Sequence, residues 1–147
     1  MIMRIPLRQR RRGIATVEFA LMAPLLLLLL AGVLDFAMLL RTATCTANAA
    51  RAGCAYGSKS ASATTDYTGM QNAALASVPN LTGMTATATR SCQCSGGSTV
   101  SCTGSCSNGK MMIYVQVTAK ATARTVFNYS RLTYSSLASS TVSMRAQ

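Results

Sequence analysis

Residues 14–40 read IATVEFALMAPLLLLLLAGVLDFAMLL, and this run constrains the chain more than any other feature. As a helix, its 27 residues would reach about 40 Å, more than the ~30 Å hydrocarbon layer of a bilayer. From Phe19 to Leu34 it carries no charge. Leu25 to Leu30 is apolar on every face, so there is no stripe to bury against a core and leave the rest in water. The remaining chain is too polar to enclose such a helix, and a transmembrane span is the expectation. Pro24 has no N–H, which deprives the Ala20 carbonyl of its helical partner and predicts a local bend.

Charge sets the direction of the span. Of 14 basic residues, five lie in the first twelve positions, and Arg8, Arg10, Arg11 and Arg12 directly precede the apolar run. Positive flanks stay in the cytoplasm, so residues beyond about 40 are expected on the far side. All six cysteines fall after the span, as an oxidising compartment would favour. The arginine cluster is therefore read as a topology signal rather than a nucleic-acid site. Beyond residue 13 the charge is nine basic against three acidic, scattered, with few aromatics to stack on bases.

The same arithmetic restricts chemistry. The chain has three acids and no histidine, and Glu18 and Asp35 lie in the apolar run. Acid–base pairs, catalytic triads and most non-thiolate metal sites need residues this chain lacks. No enzymatic activity, cofactor, metal or small-molecule substrate is expected.

Glu18 is costly in lipid, by about 2.5–3.5 kcal/mol at mid-membrane and less near an interface. It could lie among the headgroups and pair with the arginines. Its context is more specific. Arg11-Arg12-Gly13 precedes Ile14-Ala15-Thr16-Val17-Glu18-Phe19, followed by Ala20-Leu21, Pro24 and the leucine run. This resembles the processing site of type IV pilin-like precursors, in particular the Flp-type and TadE-like minor pilins of tight-adherence systems. Asn48-Ala49-Ala50-Arg51 and Ser140-Thr141-Val142-Ser143-Met144-Arg145 are similar to segments of the TadE-like family; the middle of the chain is not. The resemblance implies cleavage after Gly13 by a membrane prepilin peptidase, with Ile14 as new amino terminus, Glu18 fifth and Phe19 sixth. It further implies a structural subunit in a bacterial inner membrane, with other pilins and tight-adherence assembly proteins as partners and no specific nucleic acid. Asp35 is expected near the outer interface in a structural role.

The expected organisation is a basic cytoplasmic leader (1–13), a transmembrane helix (14–40), its extramembrane continuation (41–57) and a small α+β domain (58–147) that is periplasmic or extracellular. Small residues recur at Ala43/Ala47 and Ala49/Gly53, a spacing that lets another element approach closely. Gly53 or Gly57 would stop the helix. Gly57–Thr65 reads as a loop, and Asp66 as the cap of a short helix running to Val78 before Pro79. A period of two then marks strands at 84–89, 110–123 and 138–144. The fold class is α+β: a pilin-like spine against a small antiparallel sheet with a Cys-rich hairpin loop. Asn80-Leu81-Thr82 and Asn128-Tyr129-Ser130 fit a glycosylation pattern that the bacterial resemblance renders incidental.

Cys92 and Cys94 face Cys102 and Cys106 across a Gly/Ser-rich loop. Pairs 92–106 and 94–102 share nearly the same midpoint, so nested disulfides are expected; a four-thiolate zinc knot is the competitor. Cys45 and Cys54 are nine apart and would point to opposite sides of one helix. They are further disulfide candidates, and the connectivity of all six stays open. Three other functions compete with the pilin-like one: an unprocessed bitopic assembly factor, a soluble module released from an ordinary signal ending near residue 31, and a tethered zinc module.

Overall fold

The computed structural model describes residues 8–81, 83–107, 109–125 and 137–146, with the backbone alone over 8–13. Asn128-Tyr129-Ser130 and Thr82 lie outside the described residues. Helix α1, Arg8–Gly57, is one uninterrupted helix of 50 residues with Pro24 inside it. At 1.5 Å per residue it measures about 75 Å along its axis.

A 3₁₀ turn at Ala63–Thr65 follows, then helix α2, Tyr67–Ala76. Four strands complete the fold: β1 (Thr85–Cys94), β2 (Thr99–Val100), β3 (Met111–Thr122) and β4 (Leu137–Arg145). They form one antiparallel sheet in the order β2-β1-β3-β4. The register places Ala88, Val117 and Val142 in one row and Ala86, Ala119 and Ser140 in the next, all on the face turned toward α1. The opposite face is a grid of hydroxyls. Thr87, Thr118 and Thr141 share a row, and the Thr118 and Thr141 hydroxyls are 2.8 Å apart. The alternation follows from the pleat, which sends successive side chains to opposite faces.

Only the last third of α1 meets the sheet. Thr42, Thr46, Ala49, Ala50, Gly53, Cys54 and Gly57 are buried at helical spacing. Small side chains let the helix axis come close to the strands. A Cβ on Gly53 would lie 2.9 Å from the Met70 carbonyl oxygen and 3.0 Å from Val117 Cγ1. Gly53 is thus a contact point within the helix and not its stop. The helix ends at Gly57, which does not take the left-handed conformation of a glycine cap. Of the two small-residue pairs, Ala49/Gly53 packs, whereas Ala43 is exposed.

Two buried threonines on this stripe satisfy their hydroxyls within the helix. Thr42 Oγ1 donates to the Met38 carbonyl and Thr46 Oγ1 to that of Ala43, each at 2.9 Å. The fully buried larger side chains are few, chiefly Met70, Val115 and Val117. Each contributes about 1.5–3 kcal/mol, a thin core for a domain of this size.

The cysteine pairing differs from the nested expectation. Cys92 bonds Cys102 and Cys94 bonds Cys106. The reason lies in the route of the chain. Residues 95–110 are not a simple loop from β1 to β3. After a turn with Gly97 in the left-handed conformation, β2 folds back on the outer edge of β1, with Val100 opposite Cys92. Cys102 then falls beside Cys92, and the chain must recross the end of the sheet, carrying Cys106 past Cys94, before β3 begins opposite it at Met111. The four sulfurs are disulfides, which leaves no four-thiolate knot. Cys45 and Cys54, also disulfide candidates, are free thiols, one half-buried and one buried.

Candidate functional site

The residues that carry the proposed processing chemistry all lie on α1. Gly13, Ile14, Glu18 and Phe19 follow one another within the helix, and Arg8, Arg10, Arg11 and Arg12 lie on its first turns, their side chains outside the described residues. Ile14 and Glu18 are separated by four residues, about 6 Å along the axis and close to one full turn. Both are exposed, and Phe19 retains 68% of its surface. The helix makes its first contact with the domain far from this cluster, around Asp35 and Thr42.

From Ile14 to Leu34 the helix offers its apolar side chains on every side; Leu28, for instance, is 71% exposed. None of its most apolar 18-residue stretch is buried within the protein. That excludes a core helix of the domain; among the described residues α1 is the one helix long and apolar enough to cross a membrane, as in a single-pass membrane protein. Asp35 closes this zone. It is only 7% exposed and lies on the same stripe as Thr42 and Thr46, so it faces inward rather than toward lipid. Charge-free spacing alone placed it at an interface; its phase on the helix is what shows the burial.

Two further groups organise the junction between α1 and the domain. Asp66 caps α2, its Oδ1 accepting from the Gly69 N–H at 2.8 Å and its Oδ2 from the Tyr56 hydroxyl at 2.8 Å. The Gly69 N–H, and secondarily the Tyr56 hydroxyl, hold the Asp66 carboxyl below its ordinary value. The same hydrogen bond and the adjacent negative charge push the Tyr56 phenol up. This ties α1 to α2 through one carboxylate. Cys54 is the second group. Its Sγ lies under the sheet, and burial pushes the thiol up, against a smaller opposing effect of a backbone hydrogen bond at Val117. The sequence had offered Cys54 only as a sulfur to be bridged; its helical phase with Gly53 and Ala50 was the signal for burial.

Among the described residues, no group of three or more His, Cys, Asp or Glu side chains converges as a metal site. The comparisons with known proteins are confined to the helix. No curated protein and no solved structure matches the chain. The family model described as TadE-like protein matches residues 13–54, under a third of the chain. The matched segment begins at the glycine before Ile14 and ends at Cys54, so it takes in the exposed anchor and the stripe that packs on the sheet, but not the sheet itself. The chain thus carries a segment, residues 13–54, that is similar to the TadE-like family.

Proposed function

We propose that this chain is a minor pilin-like structural subunit of a tight-adherence (Flp-type) pilus system, without enzymatic activity, processed by a prepilin peptidase after Gly13. The observation that carries the reading is the start of the TadE-like match at Gly13, with Glu18 at the fifth position beyond it. Cleavage there would free the α-amino group of Ile14, whose ordinary pKa is about 7.7–8.0, at the lipid-embedded end of the helix. Such a cation needs an anion, and Glu18 stands one turn away. It can compensate its own terminus or that of an adjacent subunit, and the second pairing would fix the axial register between neighbouring helices. The exposed surface from Ile14 to Leu34 supplies the area for that packing. Other pilins and inner-membrane assembly proteins are then its partners, and the arginines hold the leader in the cytoplasm with the disulfide-bonded domain outside.

One observation favours a second reading, an unprocessed bitopic assembly factor: α1 runs without a break through the Gly13–Ile14 peptide, and a protease must unwind a helical bond before cutting it. Two variants in the native host separate the readings. Gly13→Leu should accumulate as full-length precursor in the membrane. Glu18→Ala should be processed but absent from sheared pili. Wild-type amounts of Glu18→Ala in pili would remove the register role. Full-length masses for both wild type and Gly13→Leu, differing only by the substituted side chain, would favour the second reading.

A further inference from the structure

The sheet turns one face to the helices and leaves the other open to solvent. On the open side the register gathers ten hydroxyl side chains, two carboxamides and two cations, Lys120 and Arg145. Its two apolar members, Met112 and Leu137, lie at opposite ends, and it holds no acid. Lys120 and Arg145 are exposed, and neither has an ionic partner among the described residues. The Thr118 and Thr141 hydroxyls are committed to each other, whereas those of Thr89 and Ser143, in the next row with Gln116, are exposed and make no hydrogen bond among the described residues.

Charge decides what can lie on this face. From residue 41 on, nine basic side chains stand against one acid, Asp66, which Gly69 and Tyr56 already engage. A second copy of the domain therefore has no free carboxylate to offer, and two such faces repel. Along the strands, the row of Lys120 lies about 20 Å from the row that Arg145 shares with Tyr114. A DNA duplex would set on the order of ten phosphates along that span against two cations. Half-buried Tyr114 is the one ring of the face on which a base could stack. An anionic bilayer gains little from two charges. The groups present call for a partner that is hydroxylated throughout and only sparsely anionic. We propose that this face binds an acidic polysaccharide in which uronate carboxylates alternate with neutral sugars. The carboxylates would meet Lys120 and Arg145 in charge-assisted hydrogen bonds, and the sugar hydroxyls between them would meet Thr89, Gln116 and Ser143. Each such contact is weak in water, and a polymer sums them along its length. The inference goes beyond the pilus reading and depends neither on processing nor on the anchor.

The test places the full chain in phosphatidylcholine nanodiscs and measures binding of hyaluronan oligosaccharides, which carry one carboxylate per disaccharide. Their methyl esters, which keep the hydroxyls and lose the charge, are the comparison. The wild type should bind the free acid more tightly than the ester, on the order of tenfold for two exposed ion pairs. K120Q/R145Q should bind acid and ester alike. T89V/S143A, at exposed side chains, should weaken both. R51Q/K59Q, which removes two exposed cations from outside the sheet, should keep the preference. Should K120Q/R145Q fail to fold by circular dichroism, K120Q and R145Q singly should each lose part of the preference. No binding, equal binding of acid and ester by the wild type, equal loss in K120Q/R145Q and R51Q/K59Q, or unchanged binding in T89V/S143A overturns the proposal. Tighter binding of a DNA duplex or of phosphatidylglycerol vesicles, at equal concentration of charge, overturns it as well.

Discussion

Cys54 Sγ lies 3.1 Å from the Val142 carbonyl oxygen, so a thiol of the long helix donates to the closing strand across 88 positions of sequence. Burial holds this thiol above its ordinary value of 9.0. A raised value favours the neutral form in the folded state. The stabilisation is complete below pH 9.0 and is lost as the pH rises through the folded value, when the unfolded thiol is already ionised. Two results are expected. Thermal stability should fall above pH 9.0 less steeply in Cys54→Ala than in the wild type. Iodoacetamide should label Cys45 in the folded protein and Cys54 only after denaturation. Equal labelling rates would contradict the burial.

Gly53 sets how close the helix comes to the sheet. Gly53→Ala gains about 1 kcal/mol of helix propensity but forces a Cβ onto the Met70 carbonyl and Val117, at an overpacking cost of about 1–3 kcal/mol. Chemical denaturation should show a net loss of up to about 2 kcal/mol. Gly32→Ala, with nothing within 4 Å of the added carbon, should leave the domain unchanged.

The Asp66 carboxylate links α1 and α2 through Tyr56 and Gly69. Its folded value is lowered, so the stabilisation is present above pH 3.8 and is lost as the pH falls through the folded value. Tyr56 has the opposite sign: its contribution is present below pH 10.0 and is lost as the pH rises through its own raised value. Asp66→Ala should abolish the acid-side dependence and fray α2, seen as faster amide exchange over 67–70. Tyr56→Phe should weaken the acid-side dependence and remove the phenol's share of the alkaline one, leaving the share of Cys54. An unchanged acid limb in Asp66→Ala would contradict the link.

The two disulfides each close a short loop at the edge of a thin core, and removing either pair should cost about 2–4 kcal/mol. Trypsin cannot separate them, since no Lys or Arg lies between Arg90 and Lys110. Partial reduction with stepwise alkylation can. Species with one bond reduced should be modified at Cys92 and Cys102, or at Cys94 and Cys106. Modification at Cys92 with Cys106 would restore the nested arrangement.

Elements with strong local signals were legible before the structure. The apolar run, the period of two in β3 and the cap at Asp66 each depend on a few consecutive residues. What was not legible depended on neighbours distant in sequence. The disulfide pairing turns on β2, a strand of two residues whose place outside β1 no local pattern announces. Gly53 and Gly57 both read as possible helix stops, and the helix ends at the second; only the approach of Val117 and Met70 shows the use of the first. Asp35 read as interfacial from its place near the end of the apolar run; what the run did not announce is its burial, in phase with Thr42, Thr46 and Ala49. At the processing site, the motif was visible because it is contiguous, from Gly13 to Phe19.

Intact-mass spectrometry of the chain extracted from native membranes reads the amino terminus itself. A mature chain beginning at Ile14 is expected, lighter than the reduced precursor by residues 1–13 and by the four hydrogens lost in two disulfides. A mass that still includes Met1 through Gly13, unchanged in cells lacking the prepilin peptidase, would contradict it.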